Sequence, residues 1–184
     1  MTCGDIDLAC TACRLSGKRL HVVPGSGPCR SRIMFFGEAP GKEEDARGVP
    51  FVGRAGIILD HAIEKAGANR SQVYVGNIVK CRPPNNRRPR PDEIEACTSL
   101  YLGSEIRAVK PRVICALGQT AANYFLPTNE KMSDRVGQDI EMLFNGLEVR
   151  FFVAYHPAAC LYQRKHLASL ERSVRGCLRA AGVV

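Results

Sequence analysis

The chain has 184 residues, of which 45% are hydrophobic and 24% charged, which is typical of a globular protein and excludes a disordered one. Its net charge of +8 favours polyanionic partners such as nucleic acids, because contacts with phosphates release counterions. Apolar runs such as residues 151–155 are too short to span a bilayer, and the N-terminus lacks the basic and apolar pattern of a secretion signal. We therefore expect one domain over residues 1–184, located in the cytoplasm.

The N-terminal third of the chain begins with an arm and continues with a strand and a helix. Residues 1–30 predict an irregular or short-helical arm that contains four cysteines. The apolar run at 33–36 predicts a buried strand, which a loop over residues 37–51 follows. Helical spacing of apolar residues then predicts a helix over 53–67, with a glycine as its stop.

The rest of the chain continues to alternate between strands and helices. Strands are predicted at 73–79, 112–117, 140–144 and 147–155, with a hairpin turn at Asn145-Gly146, helices at 91–108, 120–125 and 166–181, and a polar loop at 127–139. This order predicts an α/β fold, a three-layer αβα sandwich around a mainly parallel four-stranded sheet. Ligands of such sheets bind beyond the carboxyl ends of the strands, where residues 37–51, 77–90 and 156–162 lie.

Nine cysteines in a chain without a secretion signal favour metal ligands and buried thiols over a disulfide framework. Cys10 and Cys13 form a C-x-x-C pair, and Cys81 and Cys97 would complete a set of four thiolates. Four thiolates suit either zinc or a cubane iron–sulfur cluster, and the spacing leaves that choice open. The alternative is that they are ordinary small apolar residues. Cys115 lies in a predicted buried strand and is expected to be an ordinary core residue. The remaining cysteines have no partner at a convincing spacing: Cys3, Cys29, Cys160 and Cys177.

Several residues at the predicted strand ends are candidates for ligand binding. The glycines of the loop at 37–41 allow backbone N–H groups to approach a ligand, although a tight connection would need them too. Phe51 is a candidate stacking platform or a packing residue. The Asn77 amide can pair with the amide edge of a base or cap a loop. His156 ends the last strand, where a histidine is either structural or catalytic.

A stiff basic loop follows the second predicted strand. Its arginines are interleaved with prolines, and they include Arg82, Arg87 and Arg88. Such a loop suits phosphate binding, with a solvated surface loop as the alternative.

Five segments, in one order along nearly the whole chain, together resemble the type-4 uracil-DNA glycosylases, a bacterial and archaeal branch with an iron–sulfur cluster. The segments are CTAC (10–13), GEAPGKEEDARGVPFVGRAG (37–56), VGNIVKCRPPNNRRP (75–89), KPRVICALGQTAA (110–122) and HPAACL (156–161).

This resemblance implies a cofactor and a set of uracil-binding residues. The implied cofactor is a structural [4Fe–4S] cluster on Cys10, Cys13, Cys81 and Cys97, which selects iron over zinc. The uracil pocket would consist of Gly37, Glu38 and Ala39 around the base, Phe51 stacked on it, Asn77 at its amide edge and His156 at its O2 oxygen.

The resemblance also implies an activity, in which uracil is flipped out of DNA and its N-glycosidic bond is hydrolysed, leaving an abasic site and free uracil. His156, either neutral or protonated, would stabilise negative charge on O2. Glu38 would hold the sugar and the water, and Glu44 would exclude the methyl group of thymine. The residues expected to contact DNA are Arg82, Arg87, Arg88 and Leu161, with Cys160 and Tyr162 as alternatives to Leu161 for filling the gap left by the base.

The expected partner is uracil-containing DNA, single or double stranded, bound by a monomer without any membrane. Contacts with a sliding clamp or an abasic-site enzyme stay open.

One alternative function is a uracil-DNA binding protein without turnover, like a branch of the superfamily that traps uracil-DNA through a histidine in an enlarged loop. Residues 78–96 contain neither a histidine nor a long insertion, which counts against it. Another alternative is a redox or sensor protein, which would leave Glu38, Phe51 and Asn77 unexplained.

Overall fold

In the computed structural model, which describes residues 3–184, five strands form one sheet in the order β2-β1-β3-β5-β4. They are β1 (Ile33–Gly37), β2 (Tyr74–Asn77), β3 (Val113–Leu117), β4 (Asp139–Phe144) and β5 (Leu147–Ala154). Strands β2, β1, β3 and β5 are parallel, which confirms the predicted arrangement. The sheet has one strand more than the four predicted, because the turn at Asn145-Gly146 adds β4 as an antiparallel edge.

Helices lie between the parallel strands and after the last of them. They are α1 (Lys42–Arg47), α2 (Arg54–Lys65), α3 (Pro91–Cys97), α4 (Gly103–Val109), α5 (Gln119–Phe125), α6 (Met132–Arg135), α7 (Pro157–Tyr162) and α8 (Lys165–Ala180). The helix predicted at 91–108 is present as α3 and α4, joined by a π-helical turn at Thr98–Leu102. The short helices α1 and α6 lie in segments predicted as loops, and α7 lies in the segment 156–162, where no helix was predicted. Within residues 3–184, no helix has the length and apolar character needed to cross a membrane.

The two faces of the sheet form two separate cores, which confirms the three-layer prediction. Alternate residues of each strand point to opposite faces, as a pleated strand requires. On one face, Phe36 and Phe151 pack with residues of α4 and α5. On the other face, Phe35 and Phe152 pack with residues of α2 and α8.

The N-terminal arm is closed by a disulfide and paired with the sheet. Cys3 and Cys29 form a disulfide, so the expectation that these two cysteines have no partner is wrong. Ser26 pairs antiparallel with Val75 of β2 through two backbone hydrogen bonds of 2.8 and 2.9 Å. Between these points the arm forms a short 3₁₀ helix at Arg14–Gly17, whose Leu15 is buried in the core. Residues 1–2 of the predicted arm lie outside the described residues.

Candidate active site

A cavity of about 420 Å³ opens at the carboxyl ends of the parallel strands, where this type of sheet binds ligands. Its walls come from the segments that follow β1, β2, β3 and β5. The sequence-predicted residues that line it are Glu38, Ala39, Glu44, Phe51, Asn77 and His156. Arg87 and Arg88 also line it, so the segments that are distant in sequence meet at one place, which we call the strand-end cavity.

Gly37 lies where three of these side chains converge. It ends β1 directly beside Asn77, its register partner in β2. A Cβ atom on Gly37 would lie 2.5 Å from Asn77 Oδ1, 2.8 Å from Phe51 Cζ and 3.2 Å from His156 Nε2. A larger residue at position 37 would therefore collide with the groups that shape the inner end of the cavity.

Phe51 is buried and has a left-handed backbone conformation, with φ of +54°. Its ring is stacked with that of His156, at a centroid distance of 6.0 Å and an interplanar angle of 29°. Gly56 allows α2 to lie against this backbone, because a Cβ there would be 1.9 Å from the carbonyl oxygen of Phe51. A non-glycine residue in this conformation is uncommon, and such strain is concentrated at functional sites.

The hydrogen bonds of His156 determine where its proton lies. Its Nδ1 accepts a hydrogen bond of 3.1 Å from the backbone N–H of Ala158 at the start of α7. A neutral imidazole that accepts at Nδ1 carries its proton on Nε2. Enclosure of the ring lowers the pKa of His156 to about 4, and the negative charge of Glu44 opposes this shift. At neutral pH, His156 is therefore a neutral donor whose Nε2–H faces Gly37 and the cavity.

The carboxylate of Glu38 is held by residues from two other segments. Thr120 Oγ1 donates a hydrogen bond to Glu38 Oε2, and Arg88 Nε lies 3.8 Å from the same oxygen. Thr120 and Gln119 start α5 and line the cavity, but neither was predicted as a site residue. The signal that could have found them is the GQT sequence directly after β3, at the same edge of the sheet as the other candidates.

Glu44 organises the loops around the cavity. Its Oε2 accepts a hydrogen bond of 3.1 Å from Gly41 N–H, and its Oε1 accepts from Val52 N–H at 3.0 Å and Gly53 N–H at 2.8 Å. The carboxylate thus links the start of α1 to the start of α2, where backbone N–H groups need acceptors and negative charge is favourable.

Asn77 is buried, and its backbone is held by a polar network that was not predicted from the sequence. Lys80 Nζ donates to the Asn77 carbonyl at 2.7 Å and to Glu105 Oε2 at 2.5 Å. Glu105 Oε1 also accepts from the hydroxyl of Tyr74 at 2.6 Å and from the backbone N–H of Gly25 at 3.0 Å. The side chains of Lys80 and Glu105 are fully buried, so each depends on the other for its charge partner.

The predicted DNA-contacting residues differ in their exposure to solvent and in the hydrogen bonds that they already form. Arg88 is exposed at the cavity, whereas Arg87 forms two hydrogen bonds with Glu93, at 2.8 and 2.6 Å. Arg82 donates to the side chain of Asn86 and does not line the cavity. On α7, Cys160 is buried, Leu161 is partly exposed at 39% and Tyr162 is exposed at 83%. This burial counts against Cys160 as the residue that fills a gap in DNA.

The four predicted metal-ligating cysteines line a second, smaller cavity, which we call the cysteine cavity. Cys10, Cys13, Cys81 and Cys97 share it with Arg19, Lys80 and Tyr101. The backbone N–H of Lys80 donates to Cys97 Sγ at 3.2 Å. Burial raises the pKa of the Cys81 thiol to about 12, and the charges of the other three thiolates also raise it. In the described part of the chain, no group of three or more His, Cys, Asp or Glu side chains is arranged to bind a metal ion.

Comparisons with known proteins agree with this arrangement. Residues 24–176 match the family model of the uracil DNA glycosylase superfamily. A type-4 uracil-DNA glycosylase of Thermotoga maritima is 44% identical over 158 residues, covering 85% of this chain and 80% of the relative. The enzyme of the same name from Sulfurisphaera tokodaii is 43% identical over 173 residues, covering 91% of this chain and 78% of the relative. The chain therefore belongs to the uracil-DNA glycosylase superfamily, in its type-4 branch, and is a hydrolase that acts on N-glycosyl bonds.

Proposed function

We propose that this enzyme flips uracil out of DNA into the strand-end cavity and hydrolyses its N-glycosidic bond, leaving an abasic site and free uracil. The convergence of Asn77, Phe51 and His156 around Gly37 is the observation that supports this proposal most strongly. An aromatic face, an amide and a hydrogen-bond donor are the groups that a flipped pyrimidine requires. All of these groups come from one chain, which supports action as a monomer.

Recognition of uracil uses the inner end of the cavity. The amide of Asn77 pairs with O4 and N3–H of the base, because it offers a donor and an acceptor together. Phe51 stacks on the base, and the backbone of Gly37, Glu38 and Ala39 lines the pocket beside it. The absence of a side chain at Gly37 leaves the space that the base needs.

Catalysis depends on stabilising the uracil anion as it leaves. The bond from C1′ to N1 breaks ahead of water attack, so the sugar gains positive charge and the base gains negative charge on O2. His156 donates its Nε2–H to O2 as a neutral imidazole, which its bond with Ala158 and its lowered pKa favour. A fixed donor aimed at developing charge stabilises the transition state more than the ground state.

Glu38 acts on the sugar side of the same bond. Its carboxylate, oriented by Thr120, holds the attacking water and stabilises the nascent cation of the sugar. The neighbouring position is Ala39 and carries no second carboxylate, so we assign the sugar side of the bond to Glu38 alone.

Glu44 sets the wall of the pocket beside C5 of the base. Its three hydrogen bonds to backbone N–H groups hold it in one position at the cavity. We propose that this rigid wall leaves no room for the methyl group of thymine, which confines excision to uracil.

DNA binding uses the basic rim and α7. Arg82, Arg87 and Arg88, on the loop after β2, contact phosphates, and Arg88 is the most exposed of the three. Leu161, or its more exposed neighbour Tyr162, fills the gap that the flipped base leaves in the stack.

We propose that the enzyme binds a [4Fe–4S] cluster, because the chemistry of four cysteine donors fits it. The four ligands are Cys10, Cys13, Cys81 and Cys97. Four thiols line one cavity, and a backbone N–H already donates to one sulfur, as is common around such clusters. Within residues 3–184 no three such side chains are already arranged around one metal ion, so the fit rests on the donor set of four thiols. When bound, the cluster would tie the N-terminal arm to the loop after β2, and hydrolysis requires no redox step from it.

A turnover assay tests the proposal. The enzyme is mixed with an excess of oligonucleotides that carry U·G, U·A, T·G or single-stranded uracil, and free base is measured. We expect many equivalents of uracil and no thymine. Product that stops at one equivalent, with protein attached to DNA, would support the trapping alternative and overturn hydrolytic turnover.

A further inference from the structure

Arg19 lies beside the four cysteines although no sequence motif points to it. It follows the 3₁₀ helix of the N-terminal arm, and its half-buried side chain lines the cysteine cavity. Its Nη2 donates a hydrogen bond of 2.7 Å to the backbone carbonyl of Cys10. One end of the guanidinium is thereby fixed to a residue of the C-x-x-C pair.

The other end of the guanidinium lacks a partner. Arg19 Nη1 is buried, and no atom of residues 3–184 accepts a hydrogen bond from it. A buried donor without an acceptor is costly, so each such group in a folded protein needs an explanation. A sulfur acceptor in the cysteine cavity would supply one.

The charge of Arg19 is also directed at this cavity. Four thiolates would bring four negative charges into a buried place, and an arginine stays protonated under all ordinary conditions. Arg19 lines this cavity together with the four cysteines, so its positive charge lies beside them. The amine of Lys80, which lines the same cavity, is already bound to Glu105 and to the Asn77 carbonyl.

We propose that Arg19 donates its Nη1–H to a sulfur of the bound iron–sulfur cluster and stabilises the negative charge of the cluster with its thiolates. This inference rests on the cluster proposed above. Hydrogen bonds to sulfur and nearby positive charge both favour the reduced form of a cluster, so Arg19 raises the reduction potential and retains the iron.

The test compares Arg19→Gln with Lys18→Gln, which removes the same charge from an exposed neighbour. The readouts are the anaerobic visible spectrum, the rate of absorbance loss with an iron chelator, and the midpoint potential from a titration followed by electron paramagnetic resonance. We expect the absorbance of Arg19→Gln to be lost at least tenfold faster than that of the wild type. Its cluster equilibrium should shift about tenfold toward the oxidised form, which lowers the midpoint potential by about 59 mV for one electron. Lys18→Gln should match the wild type.

A second variant covers the case in which Arg19→Gln binds no iron. Arg19→Lys keeps the charge, so it should bind iron and keep a potential closer to that of the wild type. The role of Arg19 would be overturned if Arg19→Gln bleached at the wild-type rate and had the wild-type potential. It would also be overturned if Arg19→Lys lost its absorbance as fast as Arg19→Gln and had the same lowered potential. A colourless wild-type protein would instead overturn the cluster itself, while uracil excision is measured separately.

Discussion

The ammonium group of Lys80 joins the carboxylate of Glu105, at 2.5 Å, to the backbone carbonyl of Asn77, at 2.7 Å. Neither charged side chain is exposed to solvent. The next residue is Cys81, and the backbone N–H of Lys80 donates to Cys97. Lys80 thus connects the cysteine cavity with the end of β2, where Asn77 enters the strand-end cavity.

Lys80→Met is expected to destabilise the protein by about 3–5 kcal/mol, because it leaves the carboxylate of Glu105 buried without its partner. Urea unfolding measures this loss. Lys65→Met is the control, since it breaks a surface pair between the half-exposed Lys65 and the partly buried Glu171 and should cost far less, about 1 kcal/mol. The double variant Lys80→Met/Glu105→Leu should recover part of the stability. Equal losses in the two single variants would contradict this account of the buried pair.

Uracil excision should keep its rate from pH 8 down to about pH 5 and decline only near pH 4, where a proton on Nδ1 of His156 would break its hydrogen bond with Ala158 and displace the ring. The folded pKa of His156 is about 4, below its ordinary 6.5, so the neutral donor persists through this range. By the same linkage, the stability that neutral His156 contributes is fully present above pH 6.5 and is lost as the pH falls toward 4. Single-turnover rates across pH measure the first effect, with His61→Ala, an exposed histidine on α2, as the control. If the excision rate instead declines with a midpoint near pH 6.5, and the His61→Ala variant shows the same midpoint, His156 has an ordinary pKa and the prediction is wrong.

Asn77→Asp should reduce uracil excision by about 10- to 100-fold, because a carboxylate cannot donate to O4 of the base and one matched pair is worth roughly 1–3 kcal/mol. The ratio of uracil to other bases excised from matched oligonucleotides measures the change. Asn69→Asp makes the same chemical change at an exposed cap that only accepts hydrogen bonds with its side chain, and it should leave excision unaltered. Excision of uracil at the wild-type rate by both variants would contradict the proposal that the Asn77 amide recognises the base.

Gly56→Ala should impair both stability and excision, although alanine normally favours a helix over glycine. A Cβ at position 56 would lie 1.9 Å from the carbonyl oxygen of Phe51 and force the ring away from His156. We expect a loss of about 1–3 kcal/mol, as for other overpacked sites. Gly176→Ala in α8 is the matched control, because its Cβ would make an ordinary contact of 3.8 Å with Phe152. Thermal melting and excision rates of the two variants should therefore differ, and similar behaviour would contradict the proposed contact.

The sequence predicted those parts of the fold that local patterns encode. The apolar run of β1, the glycine after α2 and the Asn145-Gly146 turn all act over a few residues. Helices α1 and α7 were missed because their first N–H groups are satisfied by specific side chains, Glu44 and His156, that sit in loop-like sequence. The Cys3–Cys29 disulfide was missed because the two cysteines are 26 positions apart in the sequence and no spacing pattern marks them.

The candidate site was predictable where a strand end carried an unusual residue. Asn77 and His156 stood out because each ends an apolar strand, and both line the strand-end cavity. Thr120, Lys80 and Glu105 did not stand out, because each resembles an ordinary helix or loop residue until the tertiary contacts are known. Supporting residues of this kind depend on packing between distant segments, which periodicity and spacing do not encode.

The central claim is that Phe51, Asn77 and His156 form one slot for a flipped uracil, and Gly37→Ala tests it most directly. The added methyl group would occupy the point where these three side chains converge. We predict a roughly 100-fold slower single-turnover excision of uracil with the fold retained by thermal melting, since small displacements at a reacting centre cost about that much. Gly17→Ala, where a Cβ meets open space in the described structure, should excise uracil normally. Wild-type excision by a folded Gly37→Ala protein would contradict the claim.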